Sequence, residues 1–414
     1  MTPTDTTHPP YRWVMLFGVW LVYMCYGMAV YSTGPLVDPI ANDLGLSLGA
    51  MGTAMGAWPL LYIAMAIPSG ALVDRIGVRP ALLIATAIIT IAVVLRSSAH
   101  GFALLFFAVA LFGVGGPLVS VGVPKLISAW FEGKERGLAI GIYSAGPAMG
   151  AITALTLTNA VFMPMLDHSW RLTLLIYGGA AACAGLVWLA IVSRPQARLR
   201  DVPDTGGGTL AEQTQVFARL LGLGSVRYVL AIAVGIFMFN HALNNWLPEI
   251  LRSGGMTPAQ AGIWSAVPNL VGTIASLTLP RFASAERRMP TFLFVLACAA
   301  AATVLIAFAS GATLLLGLVL QGVARGSMIP IATFALMETR EVDSKVMGAA
   351  GGLFFTSAQV GGVFGPSMTG VLAQSTGGFV APLLALTAVC AVCGVLVVLH
   401  ERHIRRQLLD HVAA

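Results

Sequence analysis

Charge is what this sequence lacks most. Only 10% of its 414 residues are Asp, Glu, Lys or Arg, while 57% are hydrophobic; a soluble domain is roughly a quarter charged. Such a chain cannot dress a water-facing surface, which excludes an ordinary soluble globular fold. Ten-residue segments alternating apolar and polar, the mark of a membrane barrel, are also missing. In their place stand long apolar runs, each near the roughly 20 residues that cross a bilayer as a helix with every backbone group bonded internally.

Further absences narrow the chemistry. The five cysteines all lie inside apolar runs, and the Cys390-x-x-Cys393 pair has no histidine or second pair near it. It reads as apolar filler rather than a metal or redox site. No G-x-x-x-x-G-K phosphate loop is present, which removes ATP as an energy source, and no cofactor is expected. Of seven histidines only His241 lies deep in an apolar run, so no converging catalytic set forms and an enzyme is not expected. All seventeen Asp and Glu residues fall in loops or near predicted helix ends. The first apolar run is too long for a signal peptide.

What is there is a set of twelve apolar runs, at 12–36, 48–72, 80–97, 101–127, 137–163, 170–193, 226–252, 258–280, 289–309, 313–338, 347–373 and 378–400. With the N-terminus in the cytoplasm, 18 of the 23 Lys and Arg residues fall in the termini, the even-to-odd loops and the central linker. Arg96, Arg171 and Arg252 fall near the outer face, and Lys125 and Arg325 inside helices. That bias predicts a multi-pass protein of the cell inner (plasma) membrane with both termini cytoplasmic. It accounts for the net charge of +6 without a nucleic-acid partner. The polar stretch 194–225, with Gly206-Gly207-Gly208, reads as a cytoplasmic linker between residues 1–193 and 226–414. At an offset of 211, Gly137 and Gly141 match Gly348 and Gly352, and Gly150 matches Gly361. Two related six-helix halves suit a transporter whose halves rock about a midplane site, and both in one chain make a monomer the default.

A charge at mid-bilayer costs roughly 2.5–3.5 kcal/mol on insertion scales. Arg325 lies about twelve residues from either end of its run, roughly 18 Å by helical rise and beyond full snorkelling. With no carboxylate at that depth, it reads as the group that binds a small anionic substrate, since a guanidinium suits a carboxylate. Asn240, His241, Asn244 and Asn245 form a polar cluster on the seventh run, Asn240 and Asn244 sharing one face. They read as cavity lining, with His241 either a proton carrier or a hydrogen-bonded structural histidine. In the first half Tyr23, Tyr26, Trp58 and Tyr62 either complete an anion pocket or pack helices. Gln359 and Asn269 are further candidates of this kind. Lys125, after Pro124, is a second anion contact, a latch member or a headgroup anchor. Tyr31 reads as interfacial, near the outer mouth.

The loop after the second run is Gly70-Ala-Leu-Val-Asp74-Arg75-Ile-Gly77-Val-Arg79. This G-x-x-x-D-R-x-G-x-R pattern resembles the signature loop of the major facilitator superfamily, and the resemblance extends over essentially the whole chain. It implies an all-α membrane fold of twelve transmembrane helices in two pseudo-symmetric halves. It also implies that Asp74 and Arg75, supported by Arg79, Gly70 and Gly77, latch the halves on the inside. The second-half copy, Leu279-Pro280-Arg281-Phe282, lacks the aspartate and the glycines. Gly141-Ile-Tyr-Ser-Ala-Gly146-Pro147-Ala-Met-Gly150 resembles the glycine-proline motif of antiporters in that superfamily, with Ala151 where a further glycine is usual. Ala57-Trp58-Pro59-Leu60-Leu61-Tyr62, Ala66-Ile67-Pro68-Ser69-Gly70, Trp130-Phe131-Glu132-Gly133 and Asn245-Trp246-Leu247-Pro248-Glu249 resemble the cyanate-porter group of small-anion porters. The expectation is a secondary active transporter of a small organic anion, driven by proton symport or exchange against a counter-anion. The alternative is a proton-coupled multidrug or metabolite exporter of the same superfamily.

Overall fold

A computed structural model describes residues 11–200, 210–284, 286–337, 339, 342 and 347–413. Among these there is no strand; the chain runs as long helices joined by short turns. We number them α1 (Tyr11–Leu44), α2 (Leu48–Ile76), α3 (Val78–Ser97), α4 (Phe102–Trp130), α5 (Gly133–Met165) and α6 (Trp170–Val192). After the shorter helix Leu210–Gly222 come α7 (Gly224–Ser253), α8 (Pro258–Thr278), α9 (Arg288–Phe308), α10 (Gly311–Met337), α11 (Met347–Thr376) and α12 (Val380–Ala413). Ten of these are long and apolar enough to cross a membrane. The two others, α8 and α11, have 21 and 30 residues. They are less apolar because they carry residues such as Asn269, Thr273, Ser276, Gln359 and Ser367 along their length.

Local chemistry sets where helices begin and stop. Ser47 and Ser169 accept the backbone N–H groups of Ala50 and Leu172, and Thr257 with Gln260 forms a reciprocal capping box. These side chains satisfy donors that a helix start leaves unpaired. Gly77, between α2 and α3, has φ 84°, a left-handed conformation that a side chain resists, so the signature-loop glycine is needed to reverse the chain there.

The first run outlasts its predicted end at 36. After Tyr31 a single turn at Gly34–Leu36 leads into a helix over Val37–Leu44, so Tyr31 lies well inside the span rather than at its mouth. The twelfth helix continues past the apolar run, where Arg405 pairs with Glu401 one turn away at 3.0 Å.

Packing repeats between the first six helices and the last six. The helix α1 packs on α5 and α6, α2 on α4, and α3 on α4 and α6. In the same way α7 packs on α11 and α12, α8 on α10, and α9 on α10 and α12. Gly150 is pressed against the backbone of Met24 on α1, and Gly361 against that of Val234 on α7. These are the glycines matched at the 211-residue offset, and each allows two helices to touch backbone to backbone. Gly146 of the glycine-proline segment also packs on α1, against Trp20 and Met24, so that motif serves helix contact here. Trp188 and Trp246 are fully buried, donating to the carbonyls of Arg79 (3.2 Å) and Pro366 (2.9 Å).

Candidate functional site

Between the two sets of helices lies a cavity of about 340 Å³ lined by residues of α1, α2, α5, α7, α8 and α10. Its far wall, at the ends of the helices away from the termini, is closed by contacts across the two sets. Gly49 N–H donates to Gln374 Oε1 (3.0 Å) and Asn159 Nδ2 to the carbonyl of Pro258 (3.4 Å), while Asn159 Nδ2 also donates to the Pro35 carbonyl (3.1 Å) within the first set. Arg252 at the end of α7 reaches Asp38 of α1 at 2.9 Å and its own Glu249 at 2.7 Å. Gly52 and Gly370 sit against the backbones of Pro366 and Leu48, sealing α2 to α11. Among the described residues, these contacts close the cavity at the end of the bundle away from the termini. At the end bearing the termini, Gly70 on α2, Gly137 and Gly141 on α5, and Gly351 and Gly352 on α11 face open space among the described residues.

Among the described residues, Arg325 is the one that lines the cavity with a fixed charge. Its Nη1 donates to Asn269 Oδ1 on α8 and its Nη2 to the Tyr31 hydroxyl on α1, and the guanidinium carbon lies 5.6 Å from the Tyr31 ring centre. Among the described residues no carboxylate pairs with it. Its holders are neutral and come from both sets of helices, so they fix the group's position without cancelling its charge. A half-buried cation of this kind, in the middle of a membrane-length helix, is best offset by an anion.

On α7, Asn240, His241 and Asn244 line the cavity. Asn240 is buried, and its Nδ2 donates to the Ile236 carbonyl at 3.0 Å. Asn245 turns away from the cavity and donates to the His241 carbonyl at 2.8 Å. The His241 ring is held between Trp58 and Phe237, with centroids 5.1 and 5.4 Å away and interplanar angles of 24° and 26°. Trp58 belongs to α2 and His241 to α7, so this stack joins the two sets across the cavity.

The remaining candidates divide. Tyr26 and Trp58 line the cavity; Tyr23 and Tyr62 lie behind them. Tyr23, Tyr26 and Tyr62 come near Ser120 of α4, whose hydroxyl donates to the Gly116 carbonyl at 3.2 Å and which the sequence reading passed over. A serine in an apolar helix is too common a signal to have found it. Gln359 is buried beneath the lining, its Oε1 unpaired and placed near where Gly362 meets the His241 ring. Lys125 does not reach the cavity; it forms a close ion pair with Asp74 of the signature loop, joining α4 to α2 within the first six helices. Arg75 is exposed beside it. Arg96, counted from sequence as an outer-face residue, is buried, donating to the Ala29 carbonyl at 2.8 Å and packing over Phe112.

Comparison with known proteins agrees with this architecture. A family model described as "Major Facilitator Superfamily" matches residues 19–351 and 229–410. The chain is similar to the uncharacterized transporter YycB of Bacillus subtilis (strain 168), with 27% identity over 92% of each chain. It is also similar to the hexuronate transporter of the same organism, with 24% identity over 82% of this chain and 83% of the relative. The D-galactonate transporter of Escherichia coli O6:H1 is 24% identical over 84% of this chain and 86% of its own. Among solved structures, an inward-facing, unoccupied bacterial homologue of the human lysosomal transporter Spinster superposes with a TM-score of 0.78 at 17% identity, covering 95% of this chain and 98% of the other. The nucleoside transporter NupG superposes equally well, with a TM-score of 0.78 at 13% identity, covering 94% and 99%. The chain belongs to the Major Facilitator Superfamily and is a multi-pass membrane transporter.

Proposed function

We propose that this protein is a secondary active transporter of a small organic anion, working by alternating access between two six-helix halves, residues 1–193 and 226–414, joined by the linker 194–225. The observation that carries the reading is Arg325, a cavity-lining cation held by Asn269 and Tyr31 with no carboxylate partner among the described residues. An internal ion pair would explain such a residue structurally; neutral holders leave its charge free for a ligand. Hexuronate and galactonate, carried by similar transporters, are organic anions and fit that chemistry.

In this account α8 and α11 also cross the bilayer, giving twelve spans, and the termini lie in the cytoplasm of a cell whose inner (plasma) membrane holds the protein. The cavity is then open inward. The Arg252–Asp38 bridge and the α2–α11 contacts form the outer gate. The inner gate is the region of Asp74 and Arg75, closing when α2 and α11 approach at their cytoplasmic ends. Substrate enters with its carboxylate on Arg325, and Asn244, Tyr26 and the Trp58–His241 stack complete the pocket. Because Trp58 and His241 come from different halves, a ligand touching both favours the states in which the halves are close, which couples occupancy to rocking. The driving force is a gradient, either proton symport or exchange against a counter-anion, and the functional unit is a monomer.

The test is uptake into proteoliposomes with a panel of organic anions and, separately, amphipathic cations. Saturable anion flux supports the reading. Flux of cations without any anion flux would move the protein to the exporter alternative.

A further inference from the structure

Resting on the anion-transport reading, we infer that the substrate is a hydroxylated monocarboxylate: one carboxylate, with hydroxyl groups on the rest of the molecule. The similar proteins do not decide this, because they include transporters named for galactonate, which has one carboxylate, and for galactarate and D-glucarate, which have two.

A guanidinium has five N–H groups. Two of those on Arg325 are given to Asn269 and Tyr31, leaving three. A carboxylate bound side by side takes two, so a second carboxylate cannot be matched in the same way. Among the described residues, no other one lining the cavity carries a fixed charge. The fully buried Arg96 is committed to the Ala29 carbonyl and the Phe112 face and does not line the cavity.

The neutral lining favours hydroxyls. The Thr273 hydroxyl donates its proton to the Asn269 carbonyl at 2.9 Å, and that of Ser276 to the Thr273 carbonyl at 2.8 Å. Asn240 gives an amide proton to Ile236. With their protons engaged on the backbone, the two hydroxyls present lone pairs to the cavity. Lone pairs receive ligand hydroxyls and repel a carboxylate. Thr273 and Ser276 lie on α8 with Asn269, the residue that holds Arg325, so the acceptor surface adjoins the anion-binding group.

The test is counterflow in proteoliposomes at pH 8, where both carboxylates of a diacid are ionised and a free imidazole is neutral. Matched competitors share a carbon chain length and differ in one kind of group, a second carboxylate or the absence of hydroxyls: D-galactonate, galactarate and hexanoate, with glycerate, tartronate and propionate as the smaller set. Within a set the hydroxylated monocarboxylate should compete at least about tenfold better than either companion, the least expected when a desolvated charge or hydroxyl loses its partner. Diacids competing as well as monoacids would overturn the inference and leave the anion reading intact, as would unhydroxylated acids competing as well as hydroxylated ones. Competition by no carboxylate at all would overturn the anion reading itself.

Discussion

The bridge between Arg252 and Asp38 joins the halves at the closed end, and its strength can be read from its setting. The N–O distance is 2.9 Å, but the two side chains are 36% and 40% exposed. Pairs that exposed contribute about 0.5–1 kcal/mol after solvent screening. Asp38→Asn removes this bridge while leaving Arg252 on Glu249 at 2.7 Å, so no buried charge is stranded. If the bridge belongs to the closed-end state alone, its loss favours opening there by about 2- to 5-fold, since RT is near 0.6 kcal/mol. A reporter is available at Ser367 on α11, which abuts Gly56 of α2 in the sealed wall. With Ser367→Cys in a Cys183→Ser background, the other four cysteines being buried, an impermeant thiol reagent added from the far side reads opening as labelling rate. Asp38→Asn should raise that rate about 2- to 5-fold at low salt, and high salt should raise the unsubstituted rate toward the same value. An unchanged rate, or a rise insensitive to salt, would refute the reasoning.

Three further outcomes follow from the packing. Gly361→Val drives a branched side chain into the α7 backbone and Gly150→Val does the same against α1; each should cost about 1–3 kcal/mol or more by overpacking, seen as a lower temperature of half-unfolding in detergent. Gly77→Val forces a β-branched residue to a φ of 84°, costing about 1–2 kcal/mol, and should lower that temperature without changing the substrate concentration for half-maximal transport. Trp58→Ala removes one face of the His241 stack and a buried ring that also packs on Tyr62 and Phe112; it should weaken substrate affinity and also lower the temperature of half-unfolding, the cavity costing about 3–5 kcal/mol.

The sequence exposed the parts of the site that are costly in lipid. Arg325 stood out because a charge at the centre of an apolar run demands a reason, and the cluster on α7 stood out likewise; Asn240, His241 and Asn244 do line one cavity with it. Its holders were harder to see. Tyr31 was assigned to the outer mouth because hydropathy ends near residue 36, whereas the chain turns at Gly34–Leu36 and continues helically to Leu44. Lys125 carries the same kind of depth signal as Arg325, yet Asp74 lies beside it in space, fifty-one positions away in sequence. The sandwich of His241 between Trp58 and Phe237 depends on how two halves meet, which no local pattern encodes. Gln359 differs from the lining amides only in facing α7 rather than the space between the halves.

The central claim is that the Arg325 charge is free for a substrate anion. Its most direct test is saturable anion transport by Arg325→Gln in proteoliposomes, with thermal stability measured on the same preparation. Removing the guanidinium takes away two hydrogen bonds to neutral groups and strands no carboxylate, so the fold should hold. Losing one side of a desolvated charge pair costs about 2–4 kcal/mol, so half-saturation should rise about 30- to 1000-fold. A folded Arg325→Gln protein with unchanged half-saturation would contradict the account.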